Sequence, residues 1–170
     1  MSPIDDAEFT AFMRGRYSAM LRTATFLMGD RARGEDVLQT ALFKTAQRWR
    51  RLNDPGAAEA YTRVVLVREA GHARRRRWNG ERPTELLPEQ PTGDASAEFD
   101  LADALRRELA QLPYEQRAVL VLRYYEQRPE REVADILGCS IGTVKSRASR
   151  GLEQLRRRGV LTSTGAGAEA

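Results

Sequence analysis

Two groups of residues in this chain have the types and spacing to work on a nucleic acid. The first is SIGTVKSRASR, from Ser140 to Arg150. On a helical wheel at about 100° per residue, Gly142, Thr143, Ser146, Ser149, Arg150 and Glu153 fall on one side. Ile141, Val144, Ala148, Leu152 and Leu155 fall opposite, with Lys145 and Arg147 on the flanks. A small, hydroxylic and cationic face suits a DNA major groove. Small residues let the backbone approach, hydroxyls and Arg reach base edges, and flanking cations meet phosphates. An ordinary solvated helix face is also polar, but it mixes acids with bases, and Glu153 is the only acid between Ser140 and Arg158. Ser and Thr are also poor fillers for an exposed helix. The second group is the run Arg74-Arg75-Arg76-Arg77. Cations suit a helix C-terminus, but four adjacent arginines repel one another and ask for an anion. With Trp49, Tyr61 and Trp78 they could form an aromatic-and-cation surface, the kind that binds single-stranded nucleic acid by stacking and phosphate attraction.

The first group needs an element to hold it in place, and the preceding residues supply one. REVADIL, ending at Leu137, is a short amphipathic pattern with Val133, Ala134, Ile136 and Leu137 apolar. Gly138-Cys139-Ser140 follows. Gly ends a helix by entering the left-handed conformation without strain, and Ser140 can N-cap the next helix through its hydroxyl. The unit reads as a helix-turn-helix.

Catalytic patterns are missing. There is no phosphate-binding glycine loop, no His-based triad and no HExxH. A single His and a single Cys can build neither a zinc site nor an internal disulfide. His72 beside the Arg run reads as a surface residue, and Cys139 as a small packing residue in the turn. The chain is expected not to be an enzyme and to need no metal or cofactor.

The 170 residues, 41% hydrophobic, allow one domain or two small ones, and the net charge of +4 comes from clustered arginines. The start MSPIDDAEF is acidic, unlike a secretory leader, and no run is long enough to span a membrane. A cytoplasmic location is expected.

Phe9, Phe12, Met13, Tyr17, Met20, Leu21, Ala24, Leu27 and Met28 recur at helical spacing and predict a core helix over 8–28. A second helix is expected over 33–50. Val37, Leu38, Ala41, Leu42, Ala46 and Trp49 form its apolar half, and Asp36, Gln39, Thr40, Phe43 and Gln47 its polar half. Phe43 is thus an aromatic centred among polar groups. On residues alone, that is equally an incidental exposed ring or the anchor of a partner interface. LNDPG is a turn, and a third helix is expected over 57–78, buried through YTRVVLV and cationic from Arg68 onward. From Asn79 to Asp100 prolines, glycines and six acids replace any period. This reads as a flexible acidic linker, able to compete with DNA for the basic faces. Leu101, Leu105, Leu109 and Leu112 open a second domain, Pro113 starts a helix, and Ala118–Tyr125 reads as core. The tail 159–170 reads as disordered. The expected fold is all-α: two small helical domains joined by a linker.

These residues carry a resemblance. GDRARGEDVLQTALFKTAQRW (29–49), AYTRVVLVREAGHARRRRW (60–78) and LPYEQRAVLVLRYYEQRPEREVADILGCSIGTVKSRASRGLEQLR (112–156) resemble the extracytoplasmic-function (ECF) sigma factors of bacterial RNA polymerase, in the sigma-70 family. The sigma-E-like actinobacterial group is the nearest likeness. The resemblance implies sigma region 2 over 8–78, a linker over 79–100 and sigma region 4 over 101–158. It implies a core-polymerase interface at Asp36, Gln39, Thr40, Phe43 and Gln47, docking on the β′ coiled coil. It implies contacts to the melted promoter −10 element at Trp49, Arg51, Asn53, Tyr61, Arg68, Arg74, Arg75, Arg76 and Arg77. Contacts to the duplex −35 element are implied at Ser140, Gly142, Thr143, Lys145, Ser146, Arg147, Ser149 and Arg150. Further implied partners are the polymerase β flap and a separate anti-sigma factor. The chain departs from the family pattern at Arg68-Glu69, where members often carry Asn, and at Arg128-Pro129, where they often carry Leu-Ser. Two rivals account for less of the chain. A helix-turn-helix repressor explains only the C-terminal half, and a nucleic-acid-processing enzyme lacks an acidic metal cluster.

Overall fold

The computed structural model describes residues 3–52, 54–79 and 97–161. The expected linker, apart from its ends, and the tail beyond 161 lie outside the described residues, as does Asn53. The chain divides into two compact units, Met1–Gly80 and Glu81–Ala170. Among the described residues every regular element is helical.

The N-terminal unit packs three helices: α1 (Pro3–Met28), α2 (Arg31–Arg48) and α3 (Pro55–Trp78). The starts of α2 and α3 are each set by a carboxylate. Asp30 Oδ1 accepts from Arg33 N at 2.9 Å, and Asp54 Oδ1 accepts from Ala57 N at 2.9 Å, satisfying N–H groups that a helix leaves unpaired. Phe12, Met20, Leu21, Ala24 and Leu27 of α1 are buried with Val37, Leu38, Ala41 and Leu42 of α2 and Val65, Leu66 and Ala70 of α3. α1 and α2 meet closely at Gly34, where an added Cβ would lie 2.9 Å from the Thr25 backbone nitrogen. Between α2 and α3 the Thr45 and Thr62 hydroxyls sit 2.8 Å apart, a buried polar pair that satisfies itself.

α1 begins five residues earlier than its apolar period, and α3 begins at Pro55 rather than Ala57. Proline is well suited to the first helical turn, so the Asp54-Pro55 pair opens the helix instead of extending the turn. α2 ends earlier than expected, and a 3₁₀ turn, Trp49–Arg51, follows it.

The C-terminal unit holds α4 (Ala97–Ala110), α5 (Tyr114–Leu120), α6 (Glu130–Leu137) and α7 (Ile141–Arg157). α4 thus begins inside the stretch read as linker. Pro113 caps α5 rather than occupying its first turn. Its core is Leu109, Leu112, Ala118, Val119, Leu120, Val121, Leu122, Val133, Ile136, Val144 and Leu155. Arg117 lies fully inside this core at 0% exposure. Its Nε donates to Leu109 O at 2.8 Å, and one terminal nitrogen donates to Ala110 O at 2.9 Å and Leu112 O at 3.0 Å. These carbonyls belong to the end of α4 and its exit, where a helix runs short of backbone donors; Leu109 O also accepts from Leu112 N at 3.1 Å.

The apolar run Ala118–Tyr125 is core only as far as Leu122. Val121–Tyr125 forms a π-turn, with Glu126 N donating to Val121 O at 2.9 Å. A wider turn breaks the i, i+4 register and leaves Tyr124 and Tyr125 exposed. Leu101, the first apolar residue of the second domain, is also exposed.

Candidate nucleic-acid interface

α6 and α7 form the helix-turn-helix. Gly138 takes φ 64°, ψ 40°. In that left-handed conformation its N–H reaches Asp135 O at 3.4 Å, and the Cys139 N–H reaches Ala134 O at 3.0 Å. This pair of bonds is the Schellman arrangement, which satisfies the last carbonyls of α6 and turns the chain sharply. Ser140 is extended, and its Oγ accepts from Thr143 N at 3.1 Å, starting α7.

Val144 and Leu155 of α7 are buried, and Gly151 lets α7 press onto α5: an added Cβ there would lie 2.9 Å from Leu120 Cδ1. The side away from this contact carries the residues expected to read DNA. Ser140, Gly142, Lys145, Ser146, Ser149 and Arg150 are exposed, and Thr143 and Arg147 are half-buried. Two local bonds engage the hydroxyls. Ser140 Oγ lies 2.9 Å from Thr143 Oγ1, and Ser146 Oγ donates to Thr143 O at 3.1 Å. Lys145 Nζ lies 3.8 Å from a carboxylate oxygen of Glu130, in the first turn of α6. At the far end Arg157 pairs with Glu153 at 2.6 Å, and Arg158 with Glu108 at 3.5 Å.

Ile141 departs from the wheel. It was expected to pack inward, yet it is 43% exposed. Ile141 is the first residue of α7, whereas Val144, one turn further on, is fully buried.

In the N-terminal unit, Asp36, Gln39, Thr40, Phe43 and Gln47 all lie exposed on one side of α2, and Phe43 is 65% exposed. Beside them Lys44 Nζ pairs with Glu69 of α3 at 2.5 Å. The first departure in the sequence, Arg68-Glu69, therefore holds α3 to α2 through Glu69 and leaves Arg68 exposed.

Of the expected −10 residues, Arg51, Arg68, Arg75, Arg76 and Arg77 are exposed, and Tyr61 and Arg74 are half-buried. Tyr61, Arg68 and Arg75 are seven residues apart along α3 and share one stripe. The Arg48 guanidinium covers the Tyr61 ring at 5.4 Å, a cation–π contact. Trp49 is a correction. At 8% exposure it is buried, with ring centroids 5.2 Å from Phe9 and 5.3 Å from Phe12, so its ring cannot stack on a base. Its place in the apolar half of the helix expected over 33–50 carried that signal. Asn53 and the Trp78 side chain lie outside the described residues.

Among the described residues no group of His, Cys, Asp or Glu is arranged to hold a metal, and no helix is long and apolar enough to cross a membrane. Arg117 was missed by the sequence reading. The signal available was a lone cation in an apolar run just after a helix end that needs donors.

Residues 102–155 match the family model for sigma-70, region 4. The chain is 42% identical over 149 residues to an RNA polymerase sigma-E factor of Streptomyces coelicolor, covering 88% of this chain and 84% of that one. It is 36% identical over 159 residues to the ECF RNA polymerase sigma factor SigL of Mycobacterium tuberculosis, covering 86% of this chain and 88% of that one. Its fold is similar to that of the sigma factor RpoE solved with the anti-sigma factor NepR from Bartonella quintana, with a TM-score of 0.64 and 20% identity over 91% of this chain and 98% of that one. With a region 4 helix-turn-helix at one end and relatives of this identity along most of its length, the chain belongs to the ECF sigma factors of the sigma-70 family.

Proposed function

We propose that this sigma factor binds core RNA polymerase, directs it to promoters through two separate DNA contacts and aids melting, without catalysing a reaction itself. It acts in the cytoplasm. The observation that carries the reading is the exposed face of α7, where Gly142, Lys145, Ser146, Ser149 and Arg150 lie together behind the Gly138–Ser140 turn. A recognition helix with this chemistry reads duplex DNA, here the −35 element, by base-edge contacts flanked by phosphate contacts. Lys145, Ser149 and Arg150 make the base-edge contacts. Ser140, Thr143 and Arg147 position the helix on the backbone.

The N-terminal unit divides its work between two helices. The α2 face of Asp36, Gln39, Thr40, Phe43 and Gln47 docks on the β′ coiled coil, with Phe43 as its anchor. The stripe of α3 formed by Tyr61, Arg68 and Arg75, extended by Arg51, Arg74, Arg76 and Arg77, holds the melted −10 strand by phosphate attraction and stacking. The C-terminal unit also meets the β flap, and a separate anti-sigma factor competes for these surfaces.

Run-off transcription from a genomic fragment library, with core polymerase and with or without this chain, tests the reading. Start sites that appear only with the chain, and share two spaced elements, support it. The absence of new starts, together with failure to co-elute with core polymerase, overturns it.

A further inference from the structure

The side chains at the start of α7 do not match the hydroxyl-reading face expected of them. The Ser140 hydroxyl is occupied by the Thr143 N–H and lies 2.9 Å from the Thr143 hydroxyl, and Ser146 donates to the Thr143 carbonyl. Three hydroxyls of the first two turns are thus engaged by the helix itself. Gly142 offers only bare backbone, with open space where a side chain would be apart from the Ser140 hydroxyl at 3.7 Å. What this turn presents outward is the branched apolar side chain of Ile141, 43% exposed. Lys145, Arg147 and Arg150 lie within the next turns of the same helix and favour a polyanion. An apolar side chain held at a major-groove surface by flanking cations has one good partner on duplex DNA, the C5-methyl of thymine. Resting on the reading of α7 as the −35 recognition helix, we propose that Ile141 is a specificity-determining residue that reads a thymine methyl in the −35 element. Gly142 contributes by letting the backbone come close enough for that contact.

The test uses holoenzyme assembled from core polymerase and the full chain, on a promoter found by run-off selection. Each −35 thymine, on either strand, is replaced in turn by deoxyuridine, which removes the methyl and leaves every base-pairing group. With the wild-type chain, one replacement should weaken promoter binding about fourfold, the worth of one buried methyl group. Ile141→Ala should bind the thymine and deoxyuridine promoters equally, and Ile141→Val should retain part of the preference. Because Ile141 is only partly covered, Ile141→Val should melt with the wild type and Ile141→Ala close to it. Uniform tolerance of deoxyuridine, a −35 element without an A·T pair, or methyl sensitivity that persists in Ile141→Ala each overturns the assignment. In those cases promoter selection itself survives, so the sigma reading stands. Loss of all promoter selection would remove both.

Discussion

Phe43→Ala separates partner binding from folding more cleanly than any other change in this chain. A phenylalanine side chain contributes about 200 Å² of surface, and Phe43 leaves 65% of its surface in water. Covering about 130 Å² of apolar area at about 25 cal/mol per Å² gives roughly 3 kcal/mol. Alanine keeps the Cβ, so truncation should cost core polymerase about 2–3 kcal/mol, or some 30- to 150-fold in affinity. The stability of the chain itself should change by less than about 0.5 kcal/mol, since the ring is already exposed. Competition of labelled wild-type chain from core polymerase measures the first quantity, and thermal melting the second. Leu38→Ala is the contrast. Leu38 lies on the opposite side of α2 with no exposure, so it should lower the melting point strongly. Equal core affinity for Phe43→Ala and wild type would refute the docking role of the α2 face. A melting loss as large as that of Leu38→Ala would show that Phe43 is a packing residue.

Four further outcomes follow from the same geometry. Arg150→Ala should lose about 1–3 kcal/mol at one −35 base pair and relax preference there; a loss uniform across sequences in a promoter-variant binding series would mark a phosphate contact instead. Gly34→Ala forces a Cβ against the Thr25 backbone at 2.9 Å, whereas Gly151→Ala meets only the movable end of Leu120 at the same distance. Overpacking of this kind costs about 1–3 kcal/mol, so denaturant melts should place Gly34→Ala at the upper end and Gly151→Ala well below it. Arg117→Met keeps the unbranched stem of the side chain but leaves the Leu109, Ala110 and Leu112 carbonyls without these donors; melting should show a loss of about 3 kcal/mol or more, and no loss would mean that water replaces the guanidinium. The Arg106 hydrogen bond, and then the charges of Arg106 and Arg107, hold the Asp103 carboxyl below the usual carboxylate range against the opposing effect of burial. A lowered folded value means stability that is present above the unfolded value and lost as pH falls through the folded one. The wild type should therefore lose melting temperature below about pH 4 more steeply than Asp103→Asn, by an amount under about 1 kcal/mol for so exposed a pair.

The parts of the fold that were legible in the sequence are those fixed by local chemistry. Gly138 ends α6 and Ser140 starts α7 because a left-handed residue and a hydroxyl acceptor are needed there whatever the tertiary surroundings. The apolar halves of α1, α2 and α3 also stood out, since periodicity records which side each helix turns to its neighbours. Boundaries moved where one residue could serve either state, as Pro55 could end a turn or begin a helix.

What was not legible depends on whether a covering partner exists. Trp49 and Ile141 both fall on the apolar side of their wheels, and the wheel treats them alike. Trp49 continues past the end of α2 into a 3₁₀ turn and is met there by Phe9 and Phe12, so a ring expected among DNA contacts belongs to the core. Ile141 stands at the first residue of its helix and stays 43% exposed, while Val144, one turn further on, is buried. Tyr124 and Tyr125 were read as core because the apolar run is continuous, and a single π-turn was enough to rotate them outward. Arg117 is the reverse case: a cation in an apolar run is an error in the pattern until three carbonyls at the end of another helix are seen to need it. The same distinction bears on function. Local chemistry makes α7 a recognition helix in form, but which of its residues meet DNA depends on how far each extends past the core. On that measure Ile141, although it lies on the opposite side of the wheel from Arg150, is open to solvent at the start of α7, and Trp49 belongs with Leu38 inside.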